Sequence, residues 1–114
     1  MLQKQHRLTR TREFKTVFAG GRTYVHRLLI LKVLRRRDEQ PGRFGFVTSA
    51  NVGNAVVRNR AKRLMREAIR LLGDALRSTG SDIVIIGRRP AKGATFAEIS
   101  QAYQELFRKA GLLR

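Results

Sequence analysis

Cysteine is absent from this 114-residue chain, which excludes a disulfide, a zinc ribbon and a thiolate nucleophile. Tryptophan is also absent and proline occurs only twice, scarcities that leave a compact fold open. Continuous hydrophobic runs are short. Leu28–Leu31 is as long as any, far below the roughly 20 residues that cross a bilayer. No apolar stretch follows the basic segment from Met1 to Arg12, so the expectation is a soluble, unexported, cytoplasmic protein. Acidic residues are the scarcity with the largest consequence: 8 Asp plus Glu face 25 Lys plus Arg, a formal net charge of +17.

So much like charge destabilises a small domain by self-repulsion unless a polyanion neutralises it. Nucleic acid is the leading partner, and an anionic membrane surface is the rival. Arginine outnumbers lysine, and its planar fork suits phosphate oxygens and stacking on unpaired bases. Hydrophobic residues make up 42% of the chain, enough for a packed core. The length fits one domain, 1–114.

Hydrophobic periodicity gives the elements. A short helix is predicted over Arg12–Ala19, capped by Thr9 or Thr11 and ended by Gly20-Gly21, with Phe14, Val17 and Phe18 on one face. Tyr24–Leu34 reads as one strand with an irregular start, Leu29, Leu31 and Val33 facing one way and Lys32 the other. Pro41-Gly42 makes a turn, and Phe44–Ser49 alternates as a second strand. The most regular helix is Asn54–Leu72, where Val57, Ala61, Leu64, Met65, Ala68, Leu71 and Leu72 share an arc. Ile83–Ile86 is an unbroken apolar strand of the central type. Thr95 to Glu98 has capping-box spacing and opens a last helix with Ile99, Ala102, Tyr103, Leu106 and Ala110 in its stripe. The sum is a small α+β domain with helices packed on a sheet.

The strongest chemical signal lies on the long helix. Asn59, Lys62, Arg63, Arg66 and Arg70 oppose the apolar arc, with Arg58 and Arg60 towards its edges. Cations on successive turns can bridge phosphates spaced along a strand, and Asn59 can read a base edge or ribose. A solvated charged face is the bland alternative. A second basic group holds Lys4, Arg7, Arg10, Arg12, Lys15, Arg22, Arg27 and Lys32, interleaved with Phe14, Phe18 and Tyr24. Aromatics beside cations can form a platform for single-stranded RNA, although helical spacing alone also explains Phe14 and Phe18 as core. Arg88, Arg89 and Lys92 either extend the basic surface or form an ordinary charged loop. His6 and His26 have no recognisable metal-ligand spacing with the acids, and the eight scattered acids show no two-metal nuclease cluster in sequence, although chain distance leaves one in space open. Ser49 and Ser81 lack the motif of an activated nucleophile.

The run Gly53-Asn54-Ala55-Val56-Val57-Arg58-Asn59-Arg60, continued by Lys62-Arg63 and Arg66-Glu67, resembles the bacterial ribonuclease P protein family. Leu8, Arg12-Glu13-Phe14, Val17-Phe18, Phe44–Val47, Asp82–Ile86 and Arg88 extend the likeness over almost the whole chain. The resemblance implies a mixed sheet of about four strands with a left-handed βαβ crossover, the reverse of the usual hand. It further implies a subunit of a ribonucleoprotein endoribonuclease that removes the 5′ leader of precursor tRNA. In that family the RNA subunit holds the hydrolytic centre and its magnesium ions, with no catalytic residue or metal ligand on the protein. Carried over, Arg58, Asn59, Arg60, Lys62, Arg63 and Arg66 would face the catalytic RNA. Phe14, Phe18, Arg12, Lys15 and Arg88 would face the leader. The implied partners are catalytic RNA and precursor tRNA, with no membrane and no obligate protein partner. Many family members carry a lysine pair where this chain has Ala50-Asn51, so two phosphate contacts are expected to be missing. A structural RNA-binding protein, for instance of the ribosome, and a protein-only nuclease are the competing readings.

Overall fold

A computed structural model describes residues 6–114. Seven main elements follow in order: α1 (Thr11–Gly20), β1 (Arg22–Val25), β2 (Leu29–Arg35), β3 (Arg43–Thr48), α2 (Ala55–Leu72), β4 (Ser81–Gly87) and α3 (Phe96–Lys109). The strands form one mixed sheet in the order β1-β2-β4-β3. β1 and β4 run antiparallel to β2, whereas β3 and β4 are parallel neighbours joined through α2. That α2 connection is the βαβ unit to which the resemblance assigns a left-handed path.

The expected single strand from Tyr24 to Leu34 is two strands. Its tip, residues 26–28, is held by the His26 side chain, whose Nδ1 accepts from Leu28 N–H at 3.0 Å. His26 N–H donates to Leu29 O at 2.8 Å, closing the hairpin without glycine, proline or asparagine. The expected threonine cap of α1 is also replaced. Arg10 stands at the cap position, and Glu13 reaches back to accept from Arg10 N–H at 2.9 Å and Thr9 N–H at 3.1 Å. Thr95 and Glu98 do form the reciprocal cap of α3.

The pleat divides the sheet into two faces. Leu29, Leu31, Val33, Phe44, Ile83 and Ile85 point to one, where α2 and α3 cover them with Met65, Ile69, Tyr103, Leu106 and Phe107. The buried Tyr103 hydroxyl donates to Met65 O at 2.9 Å, tying the two helices together. Ile69 belongs to this core, whereas Leu71, expected on the apolar arc, is exposed. α2 thus rotates its buried centre towards Met65 and away from Leu71. The opposite face is only partly covered. Leu8, Val17 and Val84 are buried there beneath α1, while Phe14, Leu34, Val47 and Ile86 pack at the margin.

Close approach of α1 depends on Gly45. A Cβ there would lie 2.4 Å from Phe14 Cε1 and 2.6 Å from Cζ, so the end of the ring rests on bare backbone. Gly45→Ala is expected to cost about 1–3 kcal/mol by overpacking. Thermal unfolding checks this, and an unchanged midpoint would show that the ring is not seated there.

Candidate RNA interface

Because β3 and β4 are parallel, the segments that follow them emerge at the same end of the sheet, where loops of such units commonly hold ligands. After β3 comes a 3₁₀ turn, Ala50–Val52, which packs against a second one, Arg89–Ala91, after β4. Ser49 N–H also bonds to Gly87 O at 3.4 Å. The start of α2 and the Arg88–Lys92 segment therefore share one end of the domain. Gly53 makes the entry to α2: its φ is +153°, and a Cβ would stand 2.9 Å from Val57 Cβ and Cγ1. Asn54 then caps the helix, its Oδ1 accepting from Val57 N–H at 3.1 Å.

The candidates on α2 occupy different depths. Asn59, Arg60 and Arg63 are exposed; Lys62, Arg58 and Arg66 are half-buried. Arg58 turns further inward than an edge position suggests, because seven residues of helix carry it to within about 20° of the Met65 direction. Its Nε is buried and has no acceptor among the described residues. An enclosed donor of this kind costs about 1–3 kcal/mol until an acceptor arrives. Arg66 lies over the Phe46 ring, 5.7 Å from its centroid, a contact that depends on how α2 rests on the sheet. Arg70 is engaged with Glu67, Nη2 to Oε1 at 2.5 Å, and this pair holds the Glu67 carboxyl below its usual range.

The uncovered part of the second sheet face is the other candidate surface. Ile30, Lys32, Val47 and Ile86 are half-buried along it, and α1 forms its wall. Phe14 is half-buried against Gly45, whereas Phe18 keeps 40% of its surface exposed. Lys32 Nζ stands 5.9 Å from the Phe18 centroid and donates to Thr23 Oγ1 at 2.9 Å, a cation held beside an open ring. Lys15 is exposed about 100° around α1 from Phe14, on the Phe18 side. Arg12 is exposed too, but about 160° from Phe14, so it lies on the outer face of α1 and is not brought to the aromatic pair. Arg88 is half-buried and partly committed: its Nη1 donates to His26 O at 2.8 Å and its N–H to Leu28 O at 2.9 Å, pinning the hairpin tip to the end of β4. Ala50 and Asn51, where a lysine pair was expected, are exposed beside the start of α2. Lys4 lies outside the described residues.

An ion-pair cluster fixes α1 against the sheet. Arg43 grips Asp82 with two bonds, Nε to Oδ1 at 2.9 Å and Nη2 to Oδ2 at 2.8 Å, and reaches Glu13 with Nη1 at 2.6 Å. Arg36 also bonds to Asp82 and, at 3.0 Å, to Asp38. The Arg10 N–H, helped by the Thr9 N–H and the Arg43 cation, holds the Glu13 carboxyl below its usual range. Four of the eight acids, Glu13, Asp38, Glu67 and Asp82, are thus drawn into pairing with arginine. Among the described residues, no three of His, Cys, Asp and Glu converge as a metal site.

Comparison with known proteins agrees in sequence and in shape. The ribonuclease P family model matches residues 2–111. The ribonuclease P protein component of Symbiobacterium thermophilum is 42% identical over 113 residues, covering 99% of this chain and 97% of the relative. That of Gluconacetobacter diazotrophicus is 41% identical over 112 residues, covering 98% and 97%. The Staphylococcus aureus RNase P protein superposes with a TM-score of 0.86 at 25% identity, over 97% of this chain and 100% of that one. The Thermotoga maritima RNase P protein shares the fold, with a TM-score of 0.80 at 24% identity over 90% of this chain and 96% of the other. With the match running nearly end to end, the chain belongs to the bacterial ribonuclease P protein component family.

Proposed function

We propose that this chain binds the catalytic RNA of ribonuclease P through α2 and the 5′ leader of precursor tRNA along the half-open sheet face. As a member of its family it is a subunit of a ribonucleoprotein endoribonuclease of tRNA 5′ processing. The observation that carries the two-surface reading is continuity. The apolar floor of Ile30, Val47 and Ile86 runs from the Phe18–Lys32 pair towards the end of the sheet where α2 begins. One protein can then hold a leader strand while its helix meets another RNA.

The chemistry fits single-stranded RNA. Phe18 offers a face for a base, and Lys32 and Lys15 stand near enough to meet flanking phosphates. Arg58, Asn59, Arg60, Lys62, Arg63 and Arg66 offer forked and point cations along α2. Their effect is to lower the repulsion between two RNAs and to fix their relative placement. Hydrolysis would belong to the RNA subunit. Magnesium would be held by phosphates of the RNA subunit and its substrate. No helix is long and apolar enough to cross a membrane, and a tRNA substrate would place the subunit's work in the cytoplasm.

Leader binding has a direct test. Removing Phe18 and Lys32 together (F18A with K32A) should weaken binding of precursor tRNA by about tenfold to a hundredfold, from about 1–3 kcal/mol of stacking plus a phosphate contact. Binding of mature tRNA, which lacks the leader, should be unchanged. Equal losses for both RNAs would remove the leader from this surface.

A further inference from the structure

We propose that the β1 edge carries a second phosphate-binding pocket for RNA, lined by neither the Phe18–Lys32 pair nor α2. The proposal rests on the RNA-subunit reading for the identity of its ligand, but on different residues. A cavity of about 630 Å³ is lined by Arg22, Tyr24, Arg35, Arg37, Arg108 and Lys109, with small and aliphatic residues between them. No carboxylate lines it among the described residues, and none of its cations forms an ion pair with a described acid. The register pairs Arg22 with Val33 and Tyr24 with Leu31, which puts both on the α3 side of the sheet. Gly20, at the end of α1, and Leu34 line it as well, so the cavity wraps the β1 edge, and neither Phe18 nor Lys32 lines it. It also sits at the opposite sheet edge from β3.

Cations near a helix C-terminus have an ordinary explanation in the helix dipole, and that accounts for Arg108 and Lys109. It does not account for Arg22 or Arg37, whereas Arg35 belongs to the same helix end. Arg35 already donates from Nη2 to Ala110 O at 3.0 Å, capping a terminal carbonyl that would otherwise repel an anion. Arg22 comes from the edge strand and Arg37 from the turn after β2. Arg37 has φ +63°, the one non-glycine residue with positive φ among those described. Left-handed backbone of this kind persists where its surroundings hold it. Here Arg36 is the anchor: its N–H bonds to Gly80 O, and its guanidinium takes Asp38, Asp82, Gln40 O and Pro41 O. Asp38 and Asp82 are thereby spent on Arg36, and Arg37 is left exposed at the cavity with no ion pair to a described acid. Forked guanidiniums converging on an acid-free hollow suit phosphate oxygens, and the half-buried Tyr24 ring offers a wall for the sugar or base.

The lack of native cysteine allows a clean test. A photo-crosslinker is attached to full-length Arg37→Cys, Lys109→Cys or Asn59→Cys protein, assembled with catalytic RNA and precursor tRNA. Crosslinks from positions 37 and 109 to RNA are expected, at nucleotides different from those reached from position 59. Crosslinks from 59 alone would overturn the pocket and leave the α2 reading standing; crosslinks from 37 and 109 but not 59 would do the reverse. As a second measurement, the triple variant R37A, R108A and K109A should bind RNA about tenfold more weakly at 0.15 M salt. Its log–log salt slope should be shallower by about 2, near 0.7 for each lost single-strand contact. An unchanged slope in a folded triple variant would overturn the proposal.

Discussion

Replacing Asp82 with alanine is expected to destabilise the domain by about 3 kcal/mol, the lower end of the range for breaking a buried ion pair. Asp82 is 5% exposed; its Oδ1 accepts from both Arg36 and Arg43, and its Oδ2 from Arg43. Removing the carboxylate would leave two guanidiniums facing each other with no shared acceptor. The loss stays at the low end because the Arg43 side chain is 33% exposed and can recover some water. For a chain of this size, about 3 kcal/mol corresponds to a fall in melting temperature of more than about 10 °C. Glu67→Ala is the control, since its partner Arg70 is solvent-exposed and such pairs contribute little. Calorimetry of both variants decides the point: similar small losses would mean that the Asp82 cluster is not what fastens α1, through Glu13 and Arg43, to the sheet.

The second large effect concerns binding. Arg58→Ala combined with Arg60→Ala should weaken affinity for the catalytic RNA by about a hundredfold or more. Each charge-assisted hydrogen bond is worth about 1.5–3 kcal/mol, and about 1.4 kcal/mol is a factor of ten. The double variant should melt no lower than the parent. Arg60 is exposed, and Arg58 carries a buried Nε that has no acceptor in the free protein. A loss of affinity without loss of fold separates recognition from architecture. Titration of labelled RNA across salt concentrations gives both the affinity and the slope. Unchanged values for the double variant would remove α2 from the interface.

Much of this was legible before any coordinates, and the misses have physical causes. Helices α2 and α3 declared themselves through a sustained 3.6-residue period, and Thr95 with Glu98 marked a start by side-chain chemistry alone. The hairpin stayed hidden because Leu28–Leu31 is continuously apolar and its turn is held by a histidine nitrogen instead of a glycine. Likewise, the Arg10 position gave no sign of a cap, because the capping oxygen belongs to Glu13. Within the candidate site, charge pattern located the basic stripe but not its depth. Arg58 turns inward because helical phase puts it on the Met65 side, a rotation masked by its charge. The Phe18–Lys32 and Arg66–Phe46 pairs depend on how α1 and α2 rest on the sheet, information held in no local window of sequence. Arg88 looked free in the sequence and is instead partly occupied with holding the hairpin tip.

The Ala50-Asn51 departure acquires a location from the fold. Both residues are exposed at the turn that leads into α2, close to the Arg89–Ala91 turn. A basic pair there would extend the α2 stripe across the end of the sheet. In this chain Arg88, Arg89 and Lys92 supply positive charge at the same end from the neighbouring segment. This end of the domain is therefore basic despite Ala50-Asn51.

The proposed role is to work through RNA, with hydrolysis carried out by the RNA subunit. Its most direct test is cleavage of a 5′-extended precursor tRNA at low magnesium, with the matching catalytic RNA alone, the protein alone, and both together. Strong cleavage to the mature 5′ end only when both are present is the predicted result. Cleavage by the protein alone, or no gain on adding folded protein to competent RNA, would contradict it.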